Sequence, residues 1–114
     1  MTSVAAQAKR WYAMRVSSMV LALCVLVHVA TVIYAVRGGL SASEILGRTH
    51  GNWLVGAFYG VFVIACAVHV PLGLAAVGTE WLRMRERTAL IAAYVIGVAI
   101  LVMGLRAVYG VVAA

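Results

Sequence analysis

Two histidines, His28 and His69, lie within long apolar stretches of the sequence, where desolvation of an ionisable side chain is costly. A neutral imidazole in such surroundings suits axial ligation of haem iron, and two such ligands form a b-type centre that transfers electrons. Counted from the same membrane face at ~1.5 Å per residue, His28 lies about 18 Å deep and His69 about 12 Å deep. The pair therefore predicts a haem b site with both imidazoles at similar levels. The alternative is that each histidine only donates a hydrogen bond between helices.

Each histidine has a cysteine one helical turn before it, Cys24 and Cys66 respectively. The four side chains form a second candidate site, a tetrahedral Cys₂His₂ zinc centre. That centre requires thiolates in hydrocarbon, whereas a buried cysteine usually behaves as a small apolar residue. The cysteines form no CxxC or CxxCH pattern, so neither a disulfide framework nor covalently attached haem is expected.

A third group of polar side chains begins the first apolar stretch. Arg15, Ser17 and Ser18 stand next to two aromatic residues, Trp11 and Tyr12. Arginine and hydroxyl donors between aromatic walls suit the carbonyl oxygens of a quinone head group. The alternative is an arginine that extends to the lipid head groups beside an ordinary aromatic belt.

The composition indicates that these residues belong to an integral membrane protein. Of 114 residues, 66% are hydrophobic and only 11% are charged, and the mean hydropathy is +1.08. These values exclude a soluble enzyme, a disordered linker and a secreted disulfide scaffold. The chain is expected to form one all-α domain over residues 1–114, because backbone polar groups in lipid require helices. Transmembrane helices are predicted at about 16–37, 53–78 and 88–110, with a short interfacial helix at about 41–48 that Ser41 and Glu44 cap.

The distribution of basic residues predicts the orientation. Most of the basic residues flank apolar stretches, so the net charge of +6 indicates anchoring in a membrane rather than nucleic-acid binding. An up-down-up bundle with a cytoplasmic N-terminus places six basic residues on the inner side and three on the outer side. The inner set is Lys9, Arg10, Arg15, Arg83, Arg85 and Arg87; the outer set is Arg37, Arg48 and Arg106.

Two short motifs give the chain a family resemblance. Residues 14–18 read Met-Arg-Val-Ser-Ser, and residues 67–73 read Ala-Val-His-Val-Pro-Leu-Gly, with Glu80 near the end of the second span. Over residues 15–81 the sequence resembles the small cytochrome b membrane-anchor subunit of the succinate dehydrogenase/fumarate reductase family. That family begins its first helix with a signature like His-Arg-x-Ser/Thr-Gly, and its second helix has a haem-ligating histidine followed four residues later by glycine.

The resemblance implies roles for individual residues. His69 would be an axial haem ligand, and His28 resembles the first-helix ligand of the branch that binds two haems. Arg15 and Ser17 would belong to a quinone site. Trp11 stands at the position where members of the family can have a serine that contacts quinone. The chain departs from the pattern at Met14, where the family has histidine, and its Ala75 and Ala76 replace an arginine and a histidine near the haem propionates.

The expected function is that of a haem-binding anchor in a bacterial-type inner membrane. It would pass electrons between an iron–sulfur and flavoprotein dehydrogenase and membrane quinone, without catalysis of its own.

Small residues favour close helix contact: Gly56 and Gly60 form a GxxxG pattern, and Gly97 and Gly104 lie one heptad apart. Three helices enclose little volume for haem, so a second copy or a different anchor subunit is expected to complete the site.

Two other functions remain open from the sequence. A haem-free structural anchor would use both histidines as hydrogen-bonding groups between helices. A small transporter or channel subunit would normally carry an ionisable carboxylate within a span, whereas all three glutamates here lie outside the predicted spans.

Overall fold

A computed structural model describes residues 3–113, and the regular structure of this part of the chain is entirely helical. The helices are α1 (Val4–Gly38), α2 (Ala42–Thr49), α3 (Trp53–Glu80) and α4 (Glu86–Val112). The three longer ones, α1, α3 and α4, are long and apolar enough to cross a membrane. The all-α class and the three apolar spans expected from the sequence are therefore confirmed.

Helix α1 begins well before the apolar stretch that predicted it. The expected start was near residue 16, whereas the helix starts at Val4, after Ser3 accepts a hydrogen bond from the Ala6 N–H at 3.1 Å. The polar lead-in contains no proline or glycine, so nothing in it stops helix propagation. With 35 residues, α1 is about 52 Å long, more than the ~30 Å hydrocarbon layer requires.

The turn between α1 and α2 depends on Gly39, whose φ of 117° lies in the region that favours glycine. A side chain there would also collide with the Glu44 carboxylate. The Ser41 hydroxyl accepts from the Glu44 N–H at 3.2 Å and donates to the Glu44 carboxylate at 2.6 Å, and thus caps α2 as expected. Arg48 donates to the Gly39 carbonyl at 2.6 Å, which closes the turn.

Helix α3 lies between α1 and α4 and packs more extensively against α4. Its first turn is capped by the Asn52 side chain, and its apolar interior contains Pro71, which lacks a backbone donor. Before α3, the Gly51 N–H donates to the Val112 carbonyl at 2.7 Å, so the start of α3 lies beside the end of α4. Buried residues are mostly small: Ser17, Cys24, Ala65, Gly78, Ala89, Ala93, Gly97 and Val112.

Two glycines of α4 permit the close approach of α3. A Cβ atom at Gly97 would lie 2.5 Å from Pro71 Cγ, and one at Gly104 would lie 2.6 Å from Val63 Cγ1. Lipid gives no hydrophobic drive to helix association, so this close packing is a main source of stability. Large apolar side chains instead remain exposed on the outer surface of the bundle.

The GxxxG pattern of α3 is used only in part. Gly56 faces the Val112 side chain: a Cβ atom added at Gly56 would lie 3.4 Å from Val112 Cγ1. Gly60 has no described atom within 4 Å of the position that a Cβ would occupy. The close contact that the sequence pattern indicated therefore occurs at one of the two glycines.

Candidate functional site

His69 faces α1 at the position where two consecutive serines interrupt its apolar surface. Its Nδ1 atom lies 3.4 Å from the hydroxyl oxygens of both Ser17 and Ser18. Ser17 is only 5% exposed, so this contact lies in the interface between α1 and α3. The structure thus brings together two residues that the sequence singled out for different sites, the candidate haem ligand His69 and the candidate quinone residue Ser17.

Hydrogen bonds of the serines determine which nitrogen of His69 carries the proton. Ser17 and Ser18 both donate to the Met14 carbonyl, at 3.0 Å and 2.7 Å. Each hydroxyl has one proton, so both present only oxygen lone pairs to the imidazole. Nδ1 must then be the protonated nitrogen, and Nε2 retains its lone pair. Within the residues that the structure describes, His69 Nε2 has no hydrogen-bond partner.

His28 has an equivalent arrangement further along α1. Its Nδ1 lies 3.0 Å from the Tyr59 hydroxyl, which in turn lies 3.4 Å from the Thr31 hydroxyl. Thr31 donates to the His28 carbonyl at 2.7 Å, so its oxygen is left to accept from Tyr59. The His28 Nδ1–H then donates to the Tyr59 hydroxyl, and the Tyr59 hydroxyl donates to Thr31. This leaves His28 Nε2 with a lone pair. No hydrogen bond from another described residue reaches His28 Nε2.

Aromatic rings surround the His28 imidazole on the α3 side. Tyr59 and Phe62 make edge-to-face contacts with it at centroid distances of 5.7 Å and 5.8 Å. Phe58 packs edge-to-face on Tyr59 at 4.9 Å. These contacts fix the ring plane as well as the hydrogen-bonding direction.

The two histidines do not lie at the same level, in contrast to the sequence-based expectation. His28 contacts Tyr59 and Phe62, whereas His69 lies two to three turns further along the same helix. Tyr59 and His69 are ten positions apart in α3, which corresponds to about 15 Å along the helix axis. The sequence-based depths were counted from the ends of the two apolar stretches, on the assumption that both ends lie at the same membrane face. Helix α1 begins about three turns before its apolar stretch, and its register against α3 differs from the one that this assumption implies. With about 15 Å between their levels, the two imidazoles of one chain are too far apart to bind the same metal ion.

The zinc alternative is not supported by the geometry. No group of three or more His, Cys, Asp or Glu side chains in the described part of the chain could hold a metal ion. Cys24 is buried and Cys66 is half-buried, and both are free thiols. The two cysteines lie between the levels of the two histidines and pack as small apolar residues.

The residues proposed for quinone binding lie together at the start of the apolar part of α1. The Arg15 guanidinium lies over the Trp11 ring, 5.4 Å from its centroid. These two residues line a shallow cavity of about 300 Å³ together with Met14, Ser18 and Met19. Ser17 is not part of its lining, because its side chain points to His69. The hydroxyl group that lines this cavity is therefore that of Ser18, whose proton is donated to the Met14 carbonyl.

Sequence reasoning missed Tyr59 and Thr31, which orient His28. A tyrosine and a threonine are ordinary in apolar helices, and only their proximity to His28 gives them a role. His50, the third histidine of the chain, is exposed at the end of α2.

Comparisons with known protein families, with characterised proteins and with solved structures find no significant match to this chain. The function must therefore be argued from the site itself.

Proposed function

We propose that this protein is the haem b-binding membrane anchor of a complex similar to succinate dehydrogenase/fumarate reductase. One observation carries the proposal: each intramembrane histidine has its Nδ1 engaged by hydroxyl groups and its Nε2 without a partner among the described residues. Histidines that ligate a metal typically use one nitrogen for the metal and hold the ring by a hydrogen bond at the other. A chain with this arrangement twice can bind haem at two levels.

The residues present fit a haem ligand set. His69 and His28 would each supply one Nε2 atom to a separate haem iron, held by Ser17 and Ser18 in one case and by Tyr59 in the other. Bound haem b supplies reversible one-electron transfer. The chain positions each imidazole in a fixed tautomer, and a second copy or a different anchor subunit would supply the other protein ligand of each iron.

The cavity beside Arg15 supports the quinone part of the proposal. Arg15 places a charged hydrogen-bond donor next to the Trp11 ring, and a quinone head group presents carbonyl acceptors and a flat ring. The nearest histidine to this cavity is His69, because Ser18 contacts both. Quinone and the His69 centre would thus lie at the same end of the bundle.

An up-down-up bundle with the N-terminus in the cytoplasm fits the positions of the charges. Arg10 of α1 lies 3.9 Å from Glu86 at the start of α4, so two basic segments occur at the same end of the molecule. That end would face the cytoplasm of a bacterial-type inner membrane by the positive-inside rule. The exposed arginines of the α3–α4 turn, Arg83 and Arg85, are available there to contact an iron–sulfur and flavoprotein dehydrogenase.

A haem-free structural anchor is the second candidate. It is favoured by the same hydrogen bonds, since both histidines already connect α1 to α3 within the chain. Under this alternative the imidazoles only stabilise helix packing, as polar side chains in membrane helices often do. The two candidates differ in what Nε2 does.

A reduced-minus-oxidised absorption spectrum tests the proposal. The chain should be purified in mild detergent with its native partners and its haem quantified against protein. We expect a sharp b-type α-band upon reduction with dithionite. A flat spectrum from the intact assembly would leave the structural anchor as the function.

A further inference from the structure

A large cleft lies at the end of the bundle that holds the α3–α4 turn, and neither histidine lines it. It has a volume of about 870 Å³ and is formed by the first turns of α1, the last turns of α3 and the first turns of α4. Its inner wall is apolar and includes Leu72, Ala76, Leu90 and Tyr94. Such a volume falls in the range of ligand sites, about 300–1,000 Å³.

Charged side chains surround the mouth of this cleft. Arg10 and Glu86 face each other across it at 3.9 Å, and their side chains are 40% and 45% exposed. Glu80, at the end of α3, also lines the mouth and makes no ion pair or hydrogen bond with another described residue. The mouth thus carries one positive and two negative charges.

An aromatic ring marks the level of the mouth relative to the membrane. Trp11 lines the cleft and is 63% exposed, and tryptophan in membrane proteins concentrates at the level of the lipid head groups. The charged mouth therefore lies at the head-group level, and the apolar wall lies at the level of the acyl chains.

From these observations we propose that the cleft binds an ethanolamine phospholipid. The primary ammonium donates hydrogen bonds to Glu80 and Glu86, the phosphate accepts from Arg10, and the upper acyl chains cover the apolar wall. The charges discriminate between lipids. A choline head group has no N–H to donate, and an anionic head group without an ammonium meets two carboxylates and one arginine. The cleft shares Trp11 and Met14 with the cavity beside Arg15, but lipid retention requires neither haem nor quinone, so its failure can be distinguished from failure of the function proposed above.

The test compares lipid retention by the full-length chain in detergent. The protein is incubated with equal amounts of phosphatidylethanolamine, phosphatidylcholine and phosphatidylglycerol of identical acyl composition, and bound lipid is measured by native mass spectrometry. We expect phosphatidylethanolamine to be retained over the other two by about three- to tenfold, the effect of one charge-assisted hydrogen bond at a partly exposed site.

Charge-neutral variants assign the preference to the cleft. The double variant Glu80→Gln/Glu86→Gln should lose the preference, whereas the matched control Glu44→Gln, at the cap of α2 outside the cleft, should retain it. Circular dichroism checks that each variant keeps its helix content. If a variant does not fold, the comparison of the three lipids on the unmodified chain still tests the proposal.

Three results would overturn the proposal. One is equal retention of the ethanolamine and choline lipids by the unmodified chain, and another is a preference that survives in the double variant. The third is binding of water-soluble glycerophosphoethanolamine as tight as that of the intact lipid, because it would show that the acyl chains contribute nothing and that the ligand is the head group alone.

Discussion

Ser17 Oγ lies 3.4 Å from His69 Nδ1 across the interface between α1 and α3. Because the Ser17 hydroxyl donates to the Met14 carbonyl, the imidazole must donate to the serine, and its other nitrogen is left with a lone pair. One turn of α1 therefore fixes the tautomer of a histidine on α3. This contact makes the tautomer of His69 depend on how α1 packs against α3.

Replacement of His69 by alanine should abolish the haem centre at this end of the bundle. The double variant Ser17→Ala/Ser18→Ala should retain the ligand but weaken haem binding by about 10- to 100-fold, since second-shell hydrogen bonds typically contribute that much. Haem titration of the apoprotein, followed at the reduced α-band, measures both effects. His50→Ala and Ser43→Ala are the matched controls, because both residues are exposed at α2. An unchanged spectrum in the His69 variant would rule out the ligand assignment.

His28 should belong to a separate centre, since it lies about 15 Å from the level of His69. We expect His28→Ala to reduce the haem content without removing the His69 centre, and Tyr59→Phe to weaken the His28 centre while leaving the ring packing on Phe62 intact. The haem-to-protein ratio and the reduced spectrum of each variant measure this. Tyr109→Phe, in the exposed last turns of α4, is the control. If both histidine variants lose all haem, the two residues act on one centre formed between chains.

Gly97 should tolerate a methyl group less well than any other glycine of α4. A Cβ there would lie 2.5 Å from the Pro71 ring and 3.3 Å from the Ala67 carbonyl oxygen, neither of which can rotate away. Overpacking of this kind costs about 1–3 kcal/mol of unfolding free energy. Gly110→Ala is the control, since a Cβ at Gly110 has no described atom within 4 Å.

The stability of these glycine variants can be measured by unfolding in mixed detergent micelles, with helix content as the signal. Gly104→Ala should fall between the other two, because its neighbour Val63 is a side chain that can adjust. Equal stability of the Gly97 and Gly110 variants would contradict the close approach of α3 and α4 at Pro71.

Arg15→Gln should impair the use of quinone by the assembled complex. Loss of the charged donor beside Trp11 removes a charge-assisted hydrogen bond, so we expect KM for quinone to rise about tenfold with a smaller change in kcat. Steady-state quinone reduction by the complex with its native dehydrogenase partners measures this. Arg106→Gln, an exposed arginine of α4 outside the cavity, is the control. Unchanged kinetics would indicate that Arg15 only extends to the lipid head groups.

Much of the architecture could be predicted because membrane helices are specified locally. The length of each apolar stretch predicts a span. The N-cap of α2 at Ser41 and the C-cap of α1 at Gly39 follow from residue type. The start of α1 was the exception, since residues 4–15 include Gln7, Lys9, Arg10 and Arg15, which end the apolar pattern, but also four alanines, which favour a helix. Hydropathy detects where a helix enters lipid, not where it begins.

The sequence by itself determined the number of spans and the presence of two histidines within them, because the cost of exposed polar groups in lipid depends on composition. Only the tertiary structure decided what those histidines contact. The axial register of α1 against α3 sets His69 beside Ser17 and Ser18, sets His28 beside Tyr59, and places the two imidazoles at levels about 15 Å apart along the helix axis. That register results from the packing of small residues between helices, which no single segment of the sequence contains.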